Sequence, residues 1–207
     1  MIRERFHIHG NTDKENTEAY RMLQINVDYM IEHKKLKVIT FTSVRDEEGK
    51  SKHVCNMALS MAQEKKRVLL IDCDIRNPKV HIFFGVPNEE GLINLHGVED
   101  YDKFVLPILE LPTLHILTSG PKVDNPQITL DNEQLESFLD RVKERYDLIF
   151  INAPSAGESV EGIKLSAISD GTILALTAGK TSVTLAKKVK EMLKSIKAPV
   201  LGVILEK

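Results

Sequence analysis

The chain has 207 residues, 42% of them apolar, and carries 28 basic against 30 acidic side chains. This length and apolar content suit one domain with a large core, and they exclude a disordered segment or a small disulfide-stapled scaffold. The balanced charge argues against a nucleic-acid-binding protein, and the lack of a signal peptide or of 18 consecutive apolar residues predicts a soluble, cytoplasmic chain.

The predicted elements begin with a polar arm over residues 1–16, followed by a single domain over residues 17–207. Short, nearly continuous apolar runs predict six buried strands, at 38–42, 68–72, 114–117, 148–151, 173–176 and 200–205. Helical periodicity predicts amphipathic helices between them, whose apolar faces contain Leu23, Val27, Met30 and Ile31; Val54, Ala58, Met61 and Ala62; Leu135, Phe138, Leu139 and Val142; and Leu185, Val189, Met192, Leu193 and Ile196. This alternation predicts a doubly wound α/β fold with a mostly parallel sheet.

Three features stay outside this pattern. The stretch 78–112 contains turn signals and is not assigned. The two cysteines, Cys55 and Cys73, fit no metal or redox motif and are predicted to be buried in a reducing compartment. The last helix carries a cluster of lysines, which we interpret as its solvated face, with a docking surface for an acidic membrane or partner as the alternative: Lys187, Lys188, Lys190, Lys194 and Lys197.

A candidate phosphate site follows the first predicted strand. There, Gly49-Lys50-Ser51 stands between a buried strand and an amphipathic helix. A helix start offers unpaired N–H groups and a positive dipole end to phosphate oxygens. Lys50 is predicted to contact the β- and γ-phosphates and Ser51 to bind Mg²⁺, as in a P-loop.

Two carboxylates follow the second predicted strand. Asp72 and Asp74 are one residue apart at its carboxyl end, so on an extended chain they point to the same side. Beside a P-loop, such a pair suits Mg²⁺ or the proton of a nucleophile. A polar turn without function is the alternative interpretation, which the neighbouring P-loop disfavours.

The segment Ile71-Asp72-Cys73-Asp74-Ile75-Arg76-Asn77-Pro78 resembles the second nucleotide motif of the bacterial tyrosine kinases of capsule and exopolysaccharide synthesis. These enzymes belong to the MinD/ParA-like branch of P-loop proteins. The resemblance extends along nearly the whole chain through further matches: Glu18-Ala19-Tyr20-Arg21 in the family's oligomerisation helix, Pro87-Asn88-Glu89-Glu90-Gly91-Leu92, Ser119-Gly120-Pro121, Asn125-Pro126, Tyr146-Asp147-Leu148-Ile149, Asp170-Gly171 and Leu201-Gly202-Val203-Ile204-Leu205.

The resemblance implies an ATP- and Mg²⁺-dependent protein-tyrosine kinase that acts with a membrane-anchored polysaccharide co-polymerase at the inner face of the membrane. It also implies a homo-oligomer. Lys50, Asp72 and Asp74 would be catalytic, and Ser51, Asp72 and Asp74 would bind the metal. The implied nucleotide-binding residues are Glu48, Gly49, Lys50, Ser51, Lys52 and Asn152.

The chain departs from the family pattern where the family handles ATP. Asp46 and Glu47 replace the Pro-Gly of the usual Pro-Gly-Glu-Gly-Lys-Ser, and like charges near a triphosphate weaken its binding. Asn152 replaces a metal-handling aspartate and cannot act as a base. Glu206 stands where the family often has an asparagine near the adenine, and Gln24 replaces an arginine of the oligomerisation motif.

The chain ends at Lys207, without the family's tyrosine-rich tail. Together with the four departures, this predicts a kinase-like protein with weakened phosphotransfer. A non-catalytic scaffold with a vestigial pocket is the alternative. A MinD/ParA-like positioning ATPase is less favoured, because Val44-Arg45-Asp46 lacks the extra lysine that those proteins usually carry.

Overall fold

A computed structural model describes residues 14–46, 48–95, 98, 100–122 and 132–206, and gives only the backbone for 14–20 and 132. Its strands are β1 (Val38–Ser43), β2 (Val68–Asp72), β3 (Val105–Pro107), β4 (Leu114–Leu117), β5 (Leu148–Asn152), β6 (Gly171–Thr177) and β7 (Val200–Glu206). Its helices are α1 (Lys14–Lys34), α2 (Lys50–Gln63), α3 (Val80–Phe84), α4 (Asn132–Val142), α5 (Val160–Ala167) and α6 (Val183–Ser195).

The strands form one sheet in the order β3-β4-β2-β5-β1-β6-β7. Neighbouring strands are parallel throughout, except that β3 pairs antiparallel with β4. The predicted mostly parallel doubly wound fold is therefore confirmed. All six predicted strands are present, whereas β3 and the five-residue α3 lie in the stretch that the sequence left unassigned.

Apolar side chains alternate between the two faces of the sheet, and each face is covered by helices. Val68 and Leu70 pack in the core that contains α1, α2 and α3. Leu69 and Ile71 point the other way, into the core beneath α4 and α5, and α6 covers the neighbouring part of that face. Burying both faces explains why the parallel strands are apolar without interruption.

Two details of the helices differ from the sequence-based expectation. Helix α1 begins at Lys14, inside the predicted arm, and residues 1–13 lie outside the described part. On α6 the predicted apolar face is only partly buried: Val189 and Leu193 are inaccessible, whereas Met192 and Ile196 are each 39% exposed. No helix in the described ranges is long and apolar enough to cross a bilayer.

Both cysteines lie in the interior. Cys55 is on α2, and Cys73 lies between Asp72 and Asp74. Burial, reinforced by the negative charge of Asp72, raises the pKa of both thiols well above the usual range. Both therefore stay protonated and behave as small apolar side chains, as the sequence predicted.

The central strands position the candidate site. Strand β5 lies between β2 and β1, with Asn152 paired in register to both Asp72 and Phe41. The carboxyl ends of three adjacent parallel strands therefore meet at one edge of the sheet. The P-loop follows β1 at that edge, and Asp74 lies just beyond β2.

Candidate nucleotide site

Gly49 forms the turn that joins the P-loop to α2. Its φ of 70° lies in the left-handed region, which glycine adopts without strain. A Cβ atom there would also overlap the carboxylate of Glu206, which reaches over the loop from the end of β7. The backbone conformation requires glycine at this position, whereas the Glu206 carboxylate, at the end of a flexible side chain, can move aside.

Lys50, the first residue of α2, points into the protein. Its ammonium group donates a hydrogen bond to Oδ2 of Asp74 over 2.7 Å, and both side chains are 2% exposed. The other carboxylate oxygen of Asp74 accepts the backbone N–H of Asn77 over 3.2 Å. The predicted phosphate-binding cation and one predicted metal ligand thus form a buried ion pair with each other.

Asp72 is completely buried, and both of its carboxylate oxygens accept hydrogen bonds. Oδ2 accepts the N–H groups of Lys79 and Val80 over 3.1 and 3.0 Å, while Oδ1 accepts the amide of Asn152 over 2.8 Å and the N–H of Asp74 over 3.2 Å. Burial raises the pKa of Asp72 to about 6, against the opposing effect of most of these bonds; the nearby charge of Asp74 adds to the increase.

Asn152 links Asp72 to the P-loop. Its side-chain oxygen accepts a hydrogen bond from Ser51 Oγ over 3.2 Å, while its amide donates to Asp72. An aspartate in this position would place a second negative charge against Asp72. The amide therefore satisfies both neighbours without a metal ion.

Glu48 folds back beneath its own loop. It is 4% exposed, and Oε2 accepts the N–H groups of Val44 and Arg45 over 2.7 and 2.9 Å. Its other oxygen accepts the hydroxyl of Thr181, in the turn after β6. A carboxylate of the chain itself thereby occupies two backbone donors of the P-loop.

A third backbone donor of the loop is occupied from the segment after β5. The N–H of Asp46 donates to Oε2 of Glu158 over 3.1 Å, and Ser155 Oγ donates to the same oxygen at 3.1 Å. Gly157 allows this approach, because a Cβ there would overlap the carbonyl oxygen of Val44.

The same segment is fixed at its other end. Thr42 Oγ1 donates to the carbonyl of Pro154 over 2.7 Å, and the N–H of Ala156 donates to the carbonyl of Ser43 over 2.9 Å. Residues 154–158, which we call the docked segment, therefore lie directly against the P-loop.

The solvent side of the loop is also acidic. Glu206 lies 3.6 Å from Lys52 Nζ and 3.7 Å from His53 Nε2, measured from its two carboxylate oxygens. Burial, partly offset by Glu206, lowers the pKa of His53. Lys52 is thus directed toward Glu206 at the surface, and the buried cluster around Asp72 does not include it.

The sequence-predicted residues therefore fall into two groups. Lys50, Ser51, Asp72, Asp74 and Asn152 converge at one point. Glu48 lies beneath the loop, Gly49 forms its turn, and Lys52 lies at its outer side. Of the predicted departures, Gln24 points inward and accepts a hydrogen bond from Ser60 Oγ on α2 over 2.6 Å.

Of the residues singled out from the sequence, Glu47 and Asn125-Pro126 lie outside the described residues, as do the side chains of Glu18-Ala19-Tyr20. Across the described ranges, no group of three or more His, Cys, Asp or Glu side chains is arranged to hold a metal ion. Asp72 and Asp74 supply two carboxylates, and the third neighbour is the neutral Asn152.

Sequence reasoning missed Glu158 and Thr181. Both follow carboxyl ends of central strands, β5 and β6, where the loops of a parallel sheet converge. An acidic or hydroxyl side chain within a few residues of those ends is the signal that points to them. Their hydrogen-bond partners depend on loop conformation, which the pattern does not encode.

Sequence comparisons identify relatives over the full domain. The family described as AAA domain matches residues 36–201. Tyrosine-protein kinase YwqD of Bacillus subtilis is 31% identical over 190 residues, covering 92% of this chain and 80% of that protein. Tyrosine-protein kinase CpsD of Streptococcus agalactiae is 31% identical over 196 residues, covering 94% of this chain and 84% of that protein.

Solved structures agree with this assignment. The chimerical protein CapA2B2 superimposes with a TM-score of 0.86 at 25% identity, covering 98% of this chain and 89% of that one. MinD of Pyrococcus horikoshii, complexed with Mg-ADP, shares the fold with a TM-score of 0.71 at 22% identity, covering 82% of this chain and 69% of that one. The chain therefore belongs to the bacterial tyrosine-protein kinases within the P-loop AAA-domain family.

Proposed function

We propose that this chain is a tyrosine-kinase-family protein of capsular or exopolysaccharide assembly whose phosphotransfer to tyrosine is weakened. Its relatives are tyrosine-protein kinases, and the chain retains a lysine and a serine at the start of α2 together with two aspartates. In this proposal Lys50 contacts the β- and γ-phosphates of ATP. Ser51, Asp72 and Asp74 hold Mg²⁺, which neutralises phosphate charge.

One observation carries the proposal of weakened catalysis. The backbone N–H groups of Val44, Arg45 and Asp46 all donate to carboxylates of the chain, from Glu48 and Glu158. Glu48 is part of the usual Pro-Gly-Glu-Gly-Lys-Ser motif, so its contacts do not set this chain apart, whereas the usual proline at position 46 has neither a charge nor an N–H group. In this chain Asp46 is held beside Glu158, and two negative charges at the loop lower its affinity for a triphosphate.

The neutral Asn152 supports the same conclusion. Its amide donates to Asp72, so that carboxylate already has its hydrogen bonds without a metal ion. With no charge at this position, the site attracts Mg²⁺ through two carboxylates rather than three. Weaker Mg²⁺ binding reduces the electrostatic stabilisation on which phosphoryl transfer depends.

The second candidate function is a non-catalytic scaffold with a vestigial nucleotide pocket. The buried pair of Lys50 and Asp74 favours it, because nucleotide binding would have to break a contact in which both side chains are 2% exposed. A scaffold needs the fold and its surfaces but not a free lysine. ATP affinity distinguishes the two candidates.

A membrane-anchored polysaccharide co-polymerase is the partner that we propose for either function, together with self-association through α1. On that helix Met22, Ile25 and Tyr29 follow one another at three- and four-residue spacing and are 51%, 54% and 61% exposed. They form an apolar stripe suited to another protein surface. Gln24 is held inward by Ser60 and adds nothing to that stripe.

Isothermal titration with ATP, with and without Mg²⁺, tests the proposal on the wild type, Lys50→Met and Glu158→Gln. We expect weak Mg²⁺-dependent binding that Lys50→Met abolishes. Glu158→Gln should tighten it by about fivefold, since Glu158 is exposed and contributes roughly the energy of one charge-assisted hydrogen bond. The control is Glu144→Gln, the same charge change on an exposed residue that precedes β5 and so lies at the amino end of that strand, away from the P-loop.

Three outcomes are decisive. Absence of ATP binding in wild type and Glu158→Gln alike would establish the vestigial pocket. Micromolar, Mg²⁺-dependent binding together with rapid phosphate transfer to a tyrosine peptide would contradict weakened catalysis. Binding without transfer, even with the partner's cytoplasmic segment present, would establish a nucleotide-binding scaffold.

A further inference from the structure

Thr181 is held firmly in the connection between β6 and α6. Residues 178–182, which we call the β6–α6 turn, join the two elements. The carbonyl of Thr177, the last residue of β6, accepts the N–H groups of Lys180 and Thr181 over 3.2 and 3.0 Å. The N–H of Thr177 in turn donates to Thr181 Oγ1 over 2.9 Å. Hydrogen bonds to one residue therefore fix both the backbone and the side chain of Thr181.

The hydroxyl group of Thr181 has a defined direction of hydrogen bonding. A hydroxyl group carries one hydrogen to donate and also accepts, whereas a backbone N–H can only donate. Because the N–H of Thr177 already donates to Thr181 Oγ1, the hydroxyl hydrogen is left for another acceptor, and it goes to Oε1 of Glu48. Thr181 thus supplies a donor to the carboxylate beneath the P-loop.

The Glu48 carboxylate needs this donor because it is buried. Its side chain is 4% exposed, and its other oxygen accepts the N–H groups of Val44 and Arg45. A buried charge that loses a charge-assisted hydrogen bond must find another donor or admit water. Either movement of the carboxylate disturbs its two bonds to the loop backbone.

The β6–α6 turn is also linked to the outer side of the loop. The N–H of Ala178 donates to the carbonyl of Glu206 over 2.7 Å, and the Glu206 carboxylate reaches over Gly49. The P-loop therefore lies between two glutamate side chains, Glu48 beneath and Glu206 above. Both are hydrogen-bonded, through side chain or backbone, to this one turn.

We propose that Thr181 is a positioning residue of the P-loop that acts through Glu48. Its hydroxyl group holds the carboxylate beneath the loop, and the carboxylate holds the backbone at Val44 and Arg45 in one conformation. A loop that is already ordered binds phosphate without a further loss of conformational entropy. The effect on nucleotide affinity rests on the function proposed above, whereas the effect on the loop does not.

Hydrogen exchange of the Val44 and Arg45 amides, measured by nuclear magnetic resonance without nucleotide, tests the effect on the loop. Thr181→Val keeps the shape of the side chain but removes the hydroxyl group. It should accelerate exchange of both amides about tenfold, as expected for one charge-assisted hydrogen bond. Thr181→Ser restores the hydroxyl group and should exchange like the wild type. The matched control is Thr184→Val, the same change on an exposed residue in the first turn of α6, which should also exchange like the wild type.

A double-mutant cycle tests whether Thr181 acts through Glu48. When Glu48 is already replaced, in Glu48→Ala, the further change Thr181→Val should alter exchange by less than about twofold, because the group on which Thr181 acts is gone. A further tenfold acceleration would mean that Thr181 holds the loop by another route, and it would overturn the proposal.

Titration with ATP and Mg²⁺ then tests the effect on nucleotide. Thr181→Val should weaken binding about tenfold, and Thr181→Ser should restore it. The proposal is overturned if Thr181→Val leaves exchange of both amides unchanged, or if Thr181→Ser exchanges as fast as Thr181→Val. If the amides respond as expected but the wild type binds no ATP, the positioning of the loop is confirmed and nucleotide binding by this chain is contradicted.

Discussion

The ammonium group of Lys50 lies 2.7 Å from Oδ2 of Asp74, in a pair that is closed to solvent on both sides. Lysine and aspartate are the residues expected to bind phosphate and metal, yet here each satisfies the other. In the proposed function, binding of phosphate by Lys50 and of metal by Asp74 requires this ion pair to break. The free-energy cost of breaking it would lower the apparent affinity for nucleotide.

Asp74→Asn should lower the free energy of unfolding by about 3 kcal/mol, because it leaves the Lys50 ammonium buried without a counter-charge. The double variant Lys50→Met/Asp74→Leu should recover most of that loss, since apolar side chains can fill the same space. Urea denaturation of the two variants measures the difference. If Asp74→Asn is as stable as the wild type, the Lys50 ammonium group must reach solvent when its carboxylate partner is removed.

Asn152→Asp should make stability depend on Mg²⁺. In the wild type the Asn152 amide lies 2.8 Å from Asp72, and in the variant a second carboxylate takes its place. In a buffer with chelator, repulsion between the two carboxylates should lower the free energy of unfolding by about 2 kcal/mol, which lowers Tm by about 5 °C. Mg²⁺ should restore the loss by bridging the carboxylates. Thermal unfolding in chelator and in Mg²⁺ tests this, with Asn152→Ala as a control that adds no charge. Equal Tm values in both buffers would count against a metal site here.

Gly157→Ala should release the docked segment from the P-loop. Its Cβ would overlap the Val44 carbonyl, so the segment must shift, with an expected loss of about 2 kcal/mol in unfolding free energy. Hydrogen exchange of the Asp46 and Ala156 amides should then accelerate. The control Gly202→Ala places a Cβ where no atom lies within 4 Å and should change neither quantity. Unchanged exchange in Gly157→Ala would show that the segment is not held by this contact.

His115 should titrate below 6.5. Burial lowers its pKa first, the charge of Arg145 lowers it further, and Asp102 opposes both. The unfolded chain therefore binds the proton of the His115 ring more tightly than the folded chain does. For this reason the contribution of His115 to the free energy of unfolding is complete above pH 6.5. It is lost as the pH falls through the lowered pKa.

Arg145→Gln should raise the pKa of His115, because it removes a repelling cation and leaves Asp102 nearby. Nuclear magnetic resonance titration of the ring protons gives the value directly. Arg21→Gln, on the opposite sheet face, should leave it unchanged. A pKa that does not respond to Arg145→Gln would assign the whole decrease to burial.

Much of the fold follows from the apolar runs of the sequence. A strand buried on both faces must be apolar along its whole length and is therefore recognisable in the sequence. The predicted strands 68–72 and 114–117 accordingly coincide with β2 and β4. The meeting of Asp72 with Asn152 follows as well, since parallel neighbours align their carboxyl ends. Strand β3 escaped prediction because three residues at a sheet edge, one of them Pro107, carry no periodicity.

The hydrogen bonds that hold the loop of the candidate site were not predictable from the sequence pattern. The Asp46 amide and the Glu158 carboxylate are 112 residues apart, and they meet only because Gly157 allows two loops to approach. Likewise, the carboxylate of Glu48 could have faced a ligand or its own loop, and only three-dimensional geometry distinguishes these. Loop hydrogen bonds of this kind depend on backbone conformation rather than on residue spacing.

The burial of Cys73 between the two aspartates makes it a natural reporter of motion at the site. Its thiol is shielded and its pKa is raised well above the usual range, so a pulse of alkylating reagent leaves the closed molecule unlabelled. Each local opening at the end of β2 exposes the sulfur, so the rate of labelling reports how often this part of the structure opens. In the same experiment, labelling of Cys55 reports the opening of α2, the helix that follows the P-loop. Mass spectrometry of the two cysteine-containing peptides can therefore compare the opening rates on both sides of the site without any engineered probe.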